Sequence, residues 1–212
     1  AGPSLVVTAV ATDAGGNSGD ASVTVAVDRT PPLVVITNPL AGAYLKGGLT
    51  QVEVDVTDRS TTMLEVNGTL GFDPACEGQD GVSLTCHFTL TIPLIGDGTI
   101  TATAVDGAGN VGEAQTNTIL DATPPNITVV SPLALLVTNG TTIDVSGIVT
   151  DASPITLTVD GQSVPTDPDG VFGASIPAGP EGLRDVVFVA EDAAGNETTV
   201  TVAVVIDRTP PV

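Results

Sequence analysis

The sequence predicts an all-β chain of tandem antiparallel β-sandwiches, and three observations support this fold class. Apolar and polar residues alternate with a period of two, which is typical of half-buried strands, along most of the 212 residues. No stretch shows a convincing helical stripe of apolar residues. The third observation is a phrase, IDRTPPV at 206–212, that occurs in nearly the same form twice earlier in the chain.

The repeated phrase divides the chain into modules. Its earlier copies are VDRTPP at 27–32 and LDATPP at 120–125, so that successive copies lie 93 and 86 residues apart. Fifteen residues before the Asp of each copy stands the Asp of a second phrase, D-x-x-G-N. Repetition at such spacing indicates a modular array. We therefore predict complete modules at 31–123 and 124–209, with the tail of a preceding module at 1–30 and the start of a further one at 210–212.

Each complete module is expected to hold about seven short strands separated by turn signals, which describes an immunoglobulin-like (Ig-like) sandwich. The partial module at 1–30 supplies two strands, LVVTAVAT and ASVTVAV, whose apolar face (Val7, Ala9 and Ala11) needs cover from outside the two modules. The predicted strands of the complete modules are 33–37, 50–57, 62–66, 82–92, 98–105 and 113–120, then 143–150, 155–159, 170–176, 184–191 and 198–206.

Composition excludes several classes of partner. The chain has 25 acidic and five basic residues, and its formal net charge of −20 repels phosphate, so no nucleic-acid partner is expected. A hydrophobic content of 42% in alternating runs argues against disorder. No apolar run approaches the roughly 18 residues needed to span a bilayer, so no direct membrane insertion is expected.

The two cysteines are expected to form a disulfide. A zinc site formed by Cys76, Cys86 and His87 would lack a fourth ligand. Cys86 lies on the apolar face of its predicted strand, beside Val82, whereas Cys76 falls in the preceding loop, GFDPACEGQDG, where the first module is seven residues longer than the second. A crosslink would pin this insertion, and two buried free thiols are the alternative. His87 is placed on the outer, solvated face of the strand.

The pairing of a D-x-x-G-N phrase with a following D-x-T-P-P phrase resembles the bacterial Ig-like tandem repeats of large secreted adhesins and surface filaments. In the second module, GVFGASIPAGPEG and VFVAEDAAGNETT are also similar to the Ig-like accessory domain of glucodextranase-type enzymes. The adhesin resemblance implies a structural segment at the cell surface or outside the cell. Its expected partners are neighbouring Ig-like modules of the same longer chain, together with like chains in a filament or a cell-surface ligand.

No catalytic site is predicted, because the chain has one His and no Gly-rich phosphate loop. The alternative function is that of an accessory carbohydrate-binding module. Sugar-binding surfaces depend on exposed aromatic rings. The pattern places Phe88, Phe172 and Phe188 inward, which leaves only Tyr44 and Phe72 for such a surface.

Aspartates form the most informative set of candidate site residues. In a seven-strand sandwich, the loops after the second and the sixth strand both lie at the pole where the chain enters. Each module places one Asp in each of these loops and a third in the linker that precedes it. Ca²⁺ takes six to eight oxygen ligands, so we predict a structural calcium ion at each of two module junctions. The predicted ligands are Asp28, Asp58 and Asp106 at the first junction and Asp121, Asp151 and Asp192 at the second.

A simpler alternative stays open for each element of this site. The D-x-x-G-N phrase is also a turn signal, and Thr-Pro-Pro is also a stiff spacer. Asp13 and Asp207 would belong to equivalent sites whose other ligands lie outside the sequence. Four N-x-T sequons, at Asn67, Asn126, Asn139 and Asn196, matter only where the source glycosylates its secreted proteins.

Overall fold

The computed structural model describes residues 4–60, 62–72, 74–79, 83–94 and 96–211. Within these ranges the chain is all-β, and it contains no helix that is long and apolar enough to cross a membrane. The backbone divides into two units, Ala1–Gly42 with Gly48–Thr118 (unit 1) and Ala43–Gly47 with Ile119–Val212 (unit 2). The module boundaries predicted from the repeats stay a prediction.

Twenty strands lie in the described part of the chain. In chain order they are β1 (Ser4–Thr12), β2 (Ser18–Ala26), β3 (Leu33–Asn38), β4 (Tyr44–Leu45), β5 (Gly48–Asp58), β6 (Met63–Val66), β7 (Thr69–Leu70), β8 (Ala75–Gln79), β9 (Ser83–Leu94), β10 (Thr99–Val105), β11 (Val111–Asn117), β12 (Ile119–Leu120), β13 (Asn126–Ser131), β14 (Leu136–Thr138), β15 (Thr142–Thr150), β16 (Ile155–Val159), β17 (Gln162–Ser163), β18 (Val171–Pro177), β19 (Gly182–Asp192) and β20 (Glu197–Ile206).

Unit 2 is an Ig-like sandwich of two sheets, with strand orders β13-β15-β18 and β14-β20-β19-β16-β17. Every second residue is buried along β15 and the C-terminal half of β19, because side chains of a strand alternate between its two faces. The inward residues of both sheets form one core cluster. At its centre Phe172 of one sheet and Phe188 of the other have ring centroids 6.0 Å apart, which confirms that these rings face inward.

Unit 1 repeats this plan with strand orders β3-β5-β9-β8 and β11-β10-β6-β7. Val54 of β5, Phe88 of β9 and Ala102 of β10 are among the buried residues. The predicted strand at 113–120 is interrupted after Asn117, because both the backbone N–H and the hydroxyl of Thr118 donate to the carbonyl oxygen of Gly98. The chain resumes as β12, which pairs in parallel with β4, just as β14 pairs in parallel with β20.

The strands β1 and β2 form an antiparallel hairpin whose pairing runs from Ser4 and Ala26 to Thr12 and Ser18. Every residue of both strands is exposed, including the apolar face that carries Val7, Ala9 and Ala11. The described structure therefore leaves this face without cover. That the other strands of a preceding module cover it stays a prediction.

The disulfide is confirmed, but the expected position of Cys76 in a loop is wrong. Cys76 lies in β8, directly opposite Cys86 in β9, and the two are joined by a disulfide with their Cα atoms 4.0 Å apart. The inserted residues form a loop only in part, because their backbone groups pair with the free edge of β9 and add a strand to the sheet. Val82, predicted to lie beside Cys86, is outside the described residues.

Two glycines of unit 2 provide a test of the sheet packing. A Cβ atom at Gly147 would lie 2.3 Å from the carbonyl oxygen of Thr128 and 2.6 Å from the ring of Phe172, whereas one at Gly173 would meet nothing within 4 Å. We expect Gly147→Ala to lower the free energy of unfolding by about 1–3 kcal/mol through overpacking. The matched substitution Gly173→Ala should change it by no more than about 0.5 kcal/mol. Denaturant unfolding of both variants measures this difference, and equal effects would contradict the packing described here.

Candidate functional site

The structure brings the six predicted aspartates together as two groups of three, each contained within one unit. Within each group, one carboxylate oxygen from every residue lies within 4.8 Å of the others. We call them the first aspartate group (Asp28, Asp58 and Asp106) and the second aspartate group (Asp121, Asp151 and Asp192).

The fold places the second aspartate group at one end of the unit 2 sandwich. Asp151 directly follows β15 and Asp192 is the last residue of β19, so both stand where a strand gives way to a loop. Asp121 directly follows β12, and its backbone N–H donates to the carbonyl oxygen of Leu45 at 2.9 Å. The first aspartate group has the same plan, since Asp58 ends β5 and Asp106 follows β10.

A tight turn fixes Asp106 and Asp192. In the first turn the backbone N–H groups of Ala108 and Asn110 both donate to Asp106 Oδ1 at 2.8 Å. Gly109 adopts a φ of 86°, a left-handed conformation that favours glycine, and so lets the chain return to Asn110. Asn196 makes the corresponding backbone bond to Asp192 Oδ1 at 2.7 Å.

The asparagine that closes each turn also holds the linker. Asn196 Nδ2 donates to Asp192 Oδ2 at 2.7 Å and to the backbone carbonyl oxygen of Asp121 at 2.8 Å. Asn110 Nδ2 likewise donates to Asp106 Oδ2 at 2.7 Å and to the carbonyl oxygen of Asp28 at 3.3 Å. The sequence predicts only that Asn110 shapes a turn, and its bond to the linker is a finding of the structure. The available signal was the constant position of Asn in all three D-x-x-G-N copies.

Short side chains fix the remaining aspartates. Ser153 donates its backbone N–H and its hydroxyl to Asp151 Oδ1, each at 2.9 Å, and Ser60 makes the same two bonds to Asp58 Oδ2. The backbone N–H of Thr123 donates to Asp121 Oδ1 at 3.1 Å. In the part of the chain that the structure describes, no hydrogen bond falls on Oδ2 of Asp121 or Asp151, so these two oxygens are available as ligands.

Two of the aspartates in strand-end loops, Asp106 and Asp192, are buried and still have a lowered pKa. Asp58, Asp106 and Asp192 are only 5–6% exposed. Hydrogen bonds from the Asn110 side chain, and then from nearby backbone N–H groups, hold the pKa of Asp106 below its usual value despite burial. Burial raises the pKa of Asp192, but hydrogen bonds from Asn196 and the turn backbone outweigh it and leave that pKa lowered. Asp106 and Asp192 are therefore ionised at neutral pH.

One cation could bridge the carboxylates of each group. Oxygens that share a Ca²⁺ ion lie about 2.3–2.6 Å from it and so are at most about 5.2 Å apart, and in each group one oxygen of every aspartate lies within 4.8 Å of the others. Three carboxylates are fewer than the six to eight oxygens that Ca²⁺ takes, and backbone carbonyls and water would supply the rest. No buried side-chain N or O among the described residues lacks a hydrogen-bond partner, so the buried oxygens of the two groups are satisfied without an ion.

The first copy of the turn shows what the phrase does on its own. Asp13 accepts backbone hydrogen bonds from Gly15 and Asn17 and a side-chain bond from Asn17, as in the other two copies. Asp13 is exposed and belongs to no group of three acids within the described ranges. The D-x-x-G-N phrase therefore encodes the turn, and the aspartate group forms only where a second loop and a linker converge on it.

Neither the histidine nor the aromatic residues form a second site. His87 lies on the outer face of β9, where its Nδ1 is 2.6 Å from Oδ1 of Asp55 on β5. This hydrogen bond, followed by the charges of Asp55 and Glu77, raises the pKa of His87. Among the four phenylalanines only Phe72 is exposed, and Tyr44 is half-buried.

Comparison with known proteins agrees with this architecture. A family model for glucodextranase, domain B, matches residues 125–208. Hyalin of Lytechinus variegatus is 30% identical over 224 residues, which cover 98% of this chain and 38% of hyalin. The chain thus spans little more than a third of the length of the curated relative it matches.

Matches among solved structures include fibronectin(III)-like modules of Clostridium thermocellum CbhA, with 18% identity, 82% of this chain and 94% of that chain covered, and a TM-score of 0.49. Tandem Ig repeats of Dlar are 16% identical, with 84% and 98% of the two chains covered and a TM-score of 0.27. The specific likeness to adhesin repeats expected from the sequence stays a prediction.

The pairing of His87 with Asp55 predicts a measurable titration. The proton NMR titration of His87, the single histidine, should give a pKa above about 6.5. Asp55→Asn should move this pKa down toward about 6.5, whereas Asp144→Asn, a change at another exposed strand aspartate, should leave it unchanged.

The raised pKa of His87 makes the stability that the His87–Asp55 pair contributes depend on pH. Because the folded-state pKa is raised, the contribution of the pair is fully present below the unfolded pKa of about 6.5 and is lost as pH rises through the folded pKa. The difference in unfolding free energy between wild type and Asp55→Asn should therefore shrink as pH increases. A difference that grows with pH, or an unshifted histidine, would show that the hydrogen bond does not form in solution.

Proposed function

We propose that this chain is a non-catalytic structural segment of a repetitive secreted or cell-surface protein, serving as a stalk, an adhesin shaft or a filament building block, with module junctions stiffened by calcium. One observation carries the proposal: the same three-aspartate group occurs in two successive units, and each group includes an aspartate of the linker.

The position of the linker aspartate gives the group a mechanical role. Asp28 and Asp121 belong to the D-x-T-P-P phrases that precede the two complete modules. The two prolines fix φ and remove two backbone donors, so this stretch is already stiff. Shared coordination would tie the linker to two loops of the following module. Binding is then expected to limit the movement of the linker more than it stabilises the sandwich.

Electrostatics explain why an ion is needed for full rigidity. Three carboxylates whose oxygens lie within 4.8 Å of one another repel, and the hydrogen bonds at Asp106 and Asp192 favour the charged form. A divalent cation offsets this repulsion directly, and carboxylate oxygen is the ligand that Ca²⁺ prefers.

The disulfide supports an extracellular setting. Disulfides persist in oxidising environments and are rare in reducing compartments, and Cys76 and Cys86 are joined. Extracellular modules bind calcium with dissociation constants of about 10⁻⁴–10⁻³ M, which suffices outside cells. The partners in this proposal are neighbouring Ig-like modules of the same longer chain, with like chains in a filament or a cell-surface ligand as further partners.

The family match favours one alternative, an accessory carbohydrate-binding module of a secreted polysaccharide-active enzyme. The match covers residues 125–208. In that stretch the aromatic residues are Phe172 and Phe188, and both are buried. A sugar surface there would lack the exposed ring that usually stacks on a pyranose face, which supports the structural role over this alternative.

Calcium binding can be tested with substitutions in one repeated phrase. We expect calorimetry of the wild-type chain to show two calcium sites, and Asp28→Asn or Asp121→Asn to remove one each. Asp207→Asn is the matched control, because Asp207 has the same local bond from the Thr209 backbone N–H as Asp121 has from Thr123. Asp207 belongs to neither aspartate group, so its substitution should leave both sites intact.

Small-angle scattering then tests the mechanical role. We expect added calcium to narrow the distribution of interatomic distances in the wild type and chelator to widen it again. In Asp121→Asn, calcium should narrow this distribution less. If calorimetry detects no calcium binding, the aspartates only shape turns. If calcium binds without changing the scattering, the stiffening role is wrong although the sites exist.

The carbohydrate alternative has its own test. A glycan array and polysaccharide pull-down should give no specific binding if the chain is structural. Specific micromolar binding by the wild type would favour the alternative. If Phe72→Ala then abolished it, that binding would be placed on Phe72, the exposed ring outside the family match.

A further inference from the structure

The structure distinguishes among the four sequons by how each asparagine amide is used. Asn196 is 7% exposed, and its Nδ2 donates to both the carbonyl oxygen of Asp121 and Oδ2 of Asp192. An N-linked glycan replaces one of the two amide hydrogens and needs open space beside the nitrogen. Asn196 offers neither, so a glycan there is incompatible with the folded unit.

Asn67 is also engaged at both ends of its amide. It lies in the turn between β6 and β7, where its Nδ2 donates to the carbonyl oxygen of Thr99 at 3.0 Å and its Oδ1 accepts from the backbone N–H of Thr101 at 2.8 Å. In unit 2 the corresponding turn residue is Asp160, whose Oδ1 accepts from Val187 N at 3.0 Å. Asp160 thus makes the same acceptor bond as Asn67, which indicates that Asn67 has a structural role in this turn.

Asn126 and Asn139 differ from these two. Both are exposed, and no side-chain hydrogen bond engages either of them within the described parts of the chain. Asn126 is the first residue of β13, the edge strand of its sheet, and Asn139 lies between β14 and β15. Each is followed two residues later by the Thr of its sequon, Thr128 and Thr141.

Exposed apolar side chains in the same stretches of chain as both asparagines provide a second, independent observation. The stretch before Asn139 includes Leu133, 74% exposed, and also the exposed Leu135 and Val137. Val130, on the same strand as Asn126, is exposed as well. Exposed apolar surface on a secreted protein is a liability when it is contiguous, and a glycan is a bulky, solubilising group.

We propose that Asn126 and Asn139 are N-glycosylation sites and that their glycans cover this apolar surface of unit 2. The donor is a lipid-linked oligosaccharide diphosphate, encountered in the secretory compartment where the Cys76–Cys86 disulfide also forms. Asn Nδ2 forms a bond to the anomeric carbon and loses one proton, while the bond from that carbon to the diphosphate oxygen breaks and the lipid diphosphate leaves. This inference does not depend on calcium.

The test is secretion of the 1–212 chain from a eukaryotic cell line, followed by peptide N-glycosidase release in H₂¹⁸O and mass mapping. We expect label at Asn126 and Asn139 and none at Asn196. Thr128→Val and Thr141→Val should each remove one glycan, whereas the matched Thr128→Ser and Thr141→Ser keep the sequon and should keep the glycan. Circular dichroism and an intact disulfide confirm that each variant is folded.

Two results would overturn the proposal. One is secreted, folded protein that carries no glycan on Asn126 or Asn139. The other is folded protein with a glycan on Asn196, since that would mean the amide is not held between Asp121 and Asp192. The binding of an apolar dye tests whether the glycans cover the apolar surface. Enzymatic deglycosylation should increase dye binding, and Thr141→Val should bind more dye than Thr141→Ser.

Discussion

The path of the linker at the candidate site depends on one side-chain amide, that of the asparagine closing the D-x-x-G-N turn. Asn196 Nδ2 joins two parts of the chain that are distant in sequence, the turn between β19 and β20 and the carbonyl oxygen of Asp121. Its two donors are both used, and its position is buried. Together with the bond from the Asp121 backbone N–H to the carbonyl oxygen of Leu45, this bridge fixes the path of the linker past the turn and brings Asp121 close to Asp192. Asn110 does the same for Asp28 and Asp106.

Electrostatics act against this arrangement. The turn lowers the pKa of Asp106 and Asp192 by giving their carboxylates several N–H donors, and the fold then brings two further acids close to each. Hydrogen bonds from Ser60 and Ser153 orient Asp58 and Asp151 but do not neutralise them. Each group is thus well ordered by neutral donors and still carries net negative charge. A bound cation would offset the repulsion among the three carboxylates, whereas aspartates that only shape turns would leave this repulsion uncompensated.

Alternation predicted most strands, because a two-residue period fixes which face is buried, as in Val145 and Phe188. The strand β8 was missed because its pairing with β9 depends on backbone groups, which have no sequence signature. The two-residue strands, such as β4 and β12, are too short to show a period. Repetition predicted the aspartates of the site. It did not predict the bridge made by Asn196, because an amide that spans distant segments looks the same in sequence as one that closes a local turn.

The three copies of the turn show that the D-x-x-G-N phrase forms its hydrogen bonds locally, whereas the aspartate group needs the rest of a module. Asp13 and Asn17 form the same hydrogen bonds as Asp192 and Asn196, yet Asp13 is exposed and stands apart from other acids in the described chain. The phrase therefore folds wherever it occurs, even on a bare hairpin. The second aspartate group also requires Asp151, which directly follows β15, and the linker that carries Asp121. Since all three lie within one unit, each group is complete without a second unit, and what it can restrain is the linker that leads into its own module.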